Sequence, residues 1–164
     1  GVDCGGDNNR GQLGNGTTGK SNMTPVSMVG LGGKAVSVFT AHEHTCVLLD
    51  SGAVQCMGYG AIASLGNGTT ANKSTPTTVI GLGAKVIALS CGYDHSCVIL
   101  QGGDIKCFGK NANGQIGDGT IAPRKTTPVS VVGLGGKAVA VAAGVGAEKE
   151  QMCYQLIHEN KVPN

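Results

Sequence analysis

The sequence predicts an all-β protein made of β-propeller-type blades, each of about four antiparallel strands. Three observations carry this. A block of 51 or 52 residues recurs three times, with Pro25, Pro76 and Pro128 in step, and a period of that size marks a solenoid or propeller. The apolar residues of each block fall in short β-branched runs parted by Gly-containing turns. Helical apolar spacing over the ~10–12 residues of a helix is absent, except in "GAEKEQMCYQLI" near the C-terminus.

The elements follow in order. "CGGDNNRGQLGNGT" (4–17), "CMGYGAIASLGNGT" (56–69) and "CFGKNANGQIGDGT" (107–120) align without gaps. After each comes a Thr-Pro segment ending in Gly-Leu-Gly, then a strand-like run, and in the first two blocks "HTCVLLDSGAVQC" or "HSCVILQGGDIKC". Strands are expected near "PVSMVG", "KAVSVFTA", "TCVLLD" and "AVQCMG", with turns at "GLGGK" and "DSG". Residues 1–164 read as one repeat domain with approximate units 4–55, 56–106 and 107–164, the last diverging. The start at Gly1, without Met or a signal segment, reads as a mature or trimmed product.

Composition narrows the function. Only 13% of residues are charged and 3% aromatic, the net charge is +2, and the lysines are scattered. That leaves no basic run with interleaved aromatics, so nucleic acid is not an expected partner. No run reaches the ~18 apolar residues of a membrane span. One motif has to be answered: "GNGTTGKS" (14–21) fits the phosphate-binding loop pattern letter for letter. The equivalent segments "GNGTTANKS" and "GDGTIAPRKT" lose the pattern, and Pro25 stands where the required helix should continue. The match is a coincidence of a Gly- and Thr-rich loop.

The "NNRGQLGNGT" loop, the Pro-Val…Gly-Leu turn and the His-x-Cys-x-Leu hairpin ending in Cys-x-Gly together resemble the regulator of chromosome condensation repeat, over nearly the whole chain. The resemblance implies a propeller, usually of seven blades, and members that range from a GTPase exchange factor to a photoreceptor and an enzyme inhibitor. Gly5, Met57 and Phe108 stand where that family often has Trp, which excludes tryptophan-based light sensing. Seven blades at this period would need about 350 residues. Three units lack the platform for exchange activity, and fold alone does not carry function.

The seven cysteines follow the repeat. Cys46 and Cys56, like Cys97 and Cys107, flank a turn ten positions apart, and directly opposed non-hydrogen-bonded residues of a hairpin, ~4.5 Å apart by Cα, are within disulfide reach. Both bridges are expected, and with them an oxidising compartment. Cys-x9-Cys does not have zinc-knuckle spacing, and no metal or cofactor is expected. Cys4 and Cys153 each belong to a hairpin whose other half is missing, so each end carries what the other lacks. A Cys4–Cys153 bond between "GVDCG" and "MCYQLI" of successive chains would complete one blade. Two chains could instead close a six-blade ring, or the chain could be a segment of a longer propeller. Cys91 aligns with Thr40 and Ala143 and is expected to be a buried free thiol.

His44 and His95 are expected to be structural, and His42-Glu43-His44 lacks the helix spacing of a metalloprotease. Asp7, Glu43, Asp94 and Asp118 sit in different loops with no paired spacing, so no catalytic residues are assigned. Asn15, Asn22, Asn67 and Asn72 head Asn-x-Ser/Thr sequons and are candidate glycosylation sites. The resulting expectation is a non-catalytic, secreted, glycosylated structural protein that forms a homo-oligomer or homopolymer by head-to-tail strand complementation. The alternative is a segment of a full propeller that recognises a protein partner through its blade loops near Asn8–Gln12 and Asn111–Gln115.

Overall fold

The structure is a computed structural model that describes residues 1–146 and 151–157. Twelve strands, and no helix among the described residues, form four antiparallel sheets. Strands β1 (Asp3–Asn8) and β2 (Gly19–Ser27) pair alone at the N-terminal end. Strands β3 (Ala35–Thr40), β4 (His44–Leu49), β5 (Val54–Gly58) and β6 (Lys73–Thr78) make a complete blade in sequence order. So do β7 (Val86–Cys91), β8 (His95–Leu100), β9 (Ile105–Lys110) and β10 (Arg124–Ser130). Strands β11 (Lys137–Ala143) and β12 (Met152–Ile157) form a second half-blade.

The repeat units and the sheets are out of phase. Each complete sheet takes its first two strands from one unit and its last two essentially from the next, so the boundaries 4–55, 56–106 and 107–164 mark sequence repeats and not sheets. The segment whose apolar spacing also suits a helix contributes β12, the strand expected at "MCYQLI". Met152 and Leu156, which pack on the second blade's core, are four apart, a spacing that suits a helix and a strand face alike. Pairing with β11 decides between them.

Blades join side by side. β3 meets β7, and β7 meets β11, so the first strands line the inside of an arc. The central strands β4 and β8 are buried along their whole length. Val54, Leu65, Val79 and Leu82 of one blade share a cluster with Leu89, Val98 and Phe108 of the next. Phe108 is wholly buried, and the loop of the preceding unit closes over it: a Cβ on Gly66 would stand 2.8 Å from its ring.

The hairpins place the cysteines as their turns dictate. Cys46 faces Cys56 and Cys97 faces Cys107 across the β4–β5 and β8–β9 ladders, with Cα atoms 4.1 Å apart and sulfurs joined at 2.09 and 2.15 Å. Cys4, on β1, and Cys153, on β12, lie on different sheets and are unbonded within the chain. Pro163, where a partner for Cys153 would align, lies outside the described residues.

Candidate functional site

The strand ends that carry β3–β4 and β7–β8 turns also carry the long loops after β1, β5 and β9, and together these make one face. The long loops are built around a buried asparagine. Asn111 accepts from the Ile116 amide at 3.1 Å and donates to Thr120 O at 3.1 Å and Asp118 Oδ1 at 3.3 Å. Asn8 does the same with Leu13, Thr17 and Asn15. In the middle unit Gly60 replaces the asparagine, and its amide donates to Asn72 Oδ1 at 3.0 Å instead.

A second polar anchor sits one turn on. Asn15, Asn67 and Asp118 each accept from a threonine two residues later, through both amide and hydroxyl. The slot therefore needs a side-chain acceptor, which explains why Asp118 substitutes for asparagine. Lys125 Nζ lies 2.6 Å from Asp118 Oδ2. Burial alone would raise the Asp118 pKa, but hydrogen bonds from Lys125 and Thr120 override it and hold the carboxyl at about 2. Of the sequon asparagines, Asn15 and Asn67 are half-buried turn formers, Asn22 is a half-buried β2 residue and Asn72 is exposed.

Side chains collect over these anchors. Arg10 Nε bonds Glu43 Oε1 at 3.2 Å, and its guanidinium lies 4.8 Å over the ring of Tyr59. His42 stacks on Tyr93 with ring centroids 4.0 Å apart, and the Tyr93 hydroxyl is 3.0 Å from His42 Nε2. Lys110 pairs with Asp94 at 3.3 Å. Backbone bonds lock the short turns to the long loops, from Tyr59 N to Glu43 O and from Lys110 N to Asp94 O. Two of the three tyrosines thus stand half-buried on a rigid polar face. This arrangement can bind a protein surface, since Tyr and Arg held by their neighbours lose little entropy on contact.

The structure brings these residues together across blades, which sequence reasoning missed. The sequence points to the loops at Asn8–Gln12 and Asn111–Gln115, and to His42 only within His42-Glu43-His44, but not to Tyr59 or Tyr93. Beneath the face lies a further grouping: the ligand atoms of His44, Cys46 and Cys91 fall within 4.8 Å of one another, all buried. Burial, then the neighbouring His95 and His42, keeps His44 neutral with its pKa lowered to about 3. Burial pushes the Cys91 thiol up to about 12, against a hydrogen bond from Ser96 that lowers it. At the N-terminal end a cleft of about 430 Å³ opens beside β1, lined by Val2, Cys4, Leu13, Val38, Thr40 and Thr45 among others. Burial and then Asp3 raise the Cys4 pKa.

Residues 4–48 and 51–99 match the family model described as the regulator of chromosome condensation (RCC1) repeat, and residues 86–115 match a second model of that repeat. Human E3 ubiquitin-protein ligase HERC2 is 37% identical over 143 residues, 85% of this chain and 3% of that protein. Human HERC6, a probable E3 ubiquitin-protein ligase, is 32% identical over 149 residues, 89% of this chain and 14% of that protein. Among solved structures, Prp20p of Saccharomyces cerevisiae superposes with a TM-score of 0.83 at 16% identity, over 97% of this chain and 40% of that one. Human WBSCR16 does so with a TM-score of 0.74 at 24% identity, over 83% and 36%. Prp20p was described with its binding to Gsp1p and histones, and yeast RCC1 (Prp20) was solved bound to Kap60. The chain therefore spans a small part of the ligases and two-fifths or less of either propeller.

These relatives correct one expectation. Ubiquitin ligases and a histone-binding propeller work in the cytosol and nucleus, so the extracellular location inferred from paired cysteines is overturned. The inference failed because opposed hairpin positions place two cysteines in contact whatever the compartment. Secretory glycosylation loses its footing with it, and the Asn15 and Asn67 sequons have a structural account in the turn.

Proposed function

We propose, on the premise that this chain belongs to the regulator of chromosome condensation repeat family, that it is a segment of a propeller that recognises a protein partner through its loop face. The observation that carries this is the Arg10–Glu43–Tyr59 and His42–Tyr93 grouping, built from three successive sheets above a rigid frame. Its side chains are of the kinds that dominate protein interfaces. They converge on no nucleophile–base pair, so the reading assigns the face binding and no catalytic step. The ligase activity of HERC2 and HERC6, and the partners of Prp20p, belong to those proteins.

The half-blades fit the same reading. The cleft beside β1 is lined by Thr40 and Thr45, which by ladder register correspond to Cys91 and Ser96 in the next blade. There, Ser96 receives His44 of the preceding blade. The cleft is thus a slot of the shape that the strands of a neighbouring repeat would fill, and the longer propellers that the chain resembles favour further repeats over a fibre of copies as its occupant.

Photo-cross-linking tests the face. Benzoylphenylalanine at Tyr59 or Tyr93 should give discrete protein adducts in a cell extract, whereas the same probe at Gln101, in the β8–β9 turn at the other end of the sheet, should give none. Equal labelling from both ends, or none from either, would contradict the assignment.

A further inference from the structure

We propose that the junction of the two complete blades is a soft-metal site, with His44, Cys46, Cys56 and Cys91 as its ligands, and that it takes Zn(II) when the Cys46–Cys56 pair is reduced. His44 and Cys46 stand two apart on β4, Cys56 is directly across on β5, and Cys91 arrives from β7 of the next blade. The donor atoms of His44, Cys46 and Cys91 already lie within 4.8 Å of one another, and Cys56 is bonded to Cys46. Tetrahedral zinc with Zn–S of ~2.3 Å and Zn–N of ~2.0–2.1 Å needs donors somewhat under 4 Å apart, so His44, Cys46 and Cys91 have to draw in by about 1 Å, while the Cys46 and Cys56 sulfurs, 2.09 Å apart in the disulfide, open to that spacing on reduction.

Ser96 marks the middle of the group. Its Oγ is 2.9 Å from His44 Nε2, 3.5 Å from Cys91 Sγ and 4.0 Å from Cys46 Sγ. A cation seated among the three ligands would take over the hydroxyl's contact with His44. Three thiolates and an imidazole suit Zn(II), whereas Mg(II) and Ca(II) want oxygen.

A cellular dithiol gives two hydrogens to the Cys46–Cys56 bond, becomes a disulfide itself and leaves two thiols. The ion then displaces three thiol protons, from Cys46, Cys56 and Cys91, and neutral His44 supplies its free nitrogen. Relatives that work inside the cell put the pair where it is reduced. Because the site is buried, the ion would load as the chain folds.

The next junction supplies the control. Cys97, Cys107 and His95 recur there, but Ala143 and Met152 occupy the positions of Cys91 and Ser96. Among the described residues, only the first junction has the third thiol. The 164-residue chain should be refolded in a phosphine reductant with Co(II) as probe and displaced by Zn(II), with circular dichroism as the check on folding. The expected result is one Co(II) per chain, with tetrahedral visible bands and thiolate charge transfer. Cys91→Ala, which puts into the slot a residue found at Ala143, should weaken binding by more than the ~10–100-fold cost of losing an outer-shell partner. The Cys97→Ala/Cys107→Ala chain should still bind. No saturable tetrahedral spectrum in the folded reduced chain, a spectrum that survives Cys91→Ala, or loss in the double variant would each overturn the proposal.

Discussion

Asn111 satisfies three backbone or turn groups from a fully buried position. Replacing it with alanine leaves the Ile116 amide without its acceptor in the core, and an orphaned buried donor costs about 1–3 kcal/mol. Urea denaturation of Asn111→Ala should show a loss of that size. Asn113→Ala, whose site is exposed, should change little. Asp118 makes a sharper case. Its folded pKa is depressed from 3.8 to about 2, so its contribution is fully present above the ordinary value and is lost as pH falls through about 2. Asp118→Asn keeps the turn, as Asn15 and Asn67 show, but drops the ion pair with Lys125. The wild type should be the more stable at pH 7, and the gap should close as pH falls through about 2. Part of this was legible in the sequence, because the Asn/Asp exchange within "LGNGT" and "IGDGT" already pointed to an acceptor. The company of Cys91 was not, since His44 and Cys91 meet only through lateral packing of blades that no local pattern encodes.

At the scale of the element, two glycines end the hairpins. Gly58 and Gly109 have φ of +107° and +109°, and a Cβ there would stand 2.3 Å from Glu43 O or 2.5 Å from Asp94 O. Gly81 has φ of +76° with nothing within 4 Å. Gly109→Ala therefore adds a backbone clash to the conformational cost that Gly81→Ala bears alone, roughly 1–2 kcal/mol. Thermal melts should place Gly109→Ala well below Gly81→Ala, and equal melting points would contradict the geometry. Hairpins such as β4–β5 and β8–β9 were readable because turn and ladder are contiguous in the chain. The phase of the sheets was not: a sheet that borrows strands from two repeats gives the same sequence period as one that does not. β12 was ambiguous for the reason given by Met152 and Leu156.

For the whole molecule, an arc of two complete and two half blades leaves its inner wall open. Val36, Ile87 and Val139, at one repeat position of the first strands, are 54%, 58% and 46% exposed. A copy of residues 34–52 with its cysteine changed to serine, joined ahead of Gly1, would keep hairpin register because Val2 and Cys4 correspond to Val54 and Cys56. It should pair with β1, fill the cleft and slow alkylation of Cys4. Unchanged labelling of Cys4 would count against the slot. The propeller class was legible from the repeat alone, while the partner and the compartment were not, because blade geometry is shared by proteins of many roles.

Recognition is proposed for the loop face. Its most direct test is the affinity of the cross-linked partner, purified, for three variants of the chain. Tyr59→Ala or Tyr93→Ala should weaken binding about 30-fold, the ~2 kcal/mol of an interface hot spot, while Gln101→Ala leaves it unchanged. Unchanged binding by both tyrosine variants, or binding that depends on Gln101, would rule the loop face out.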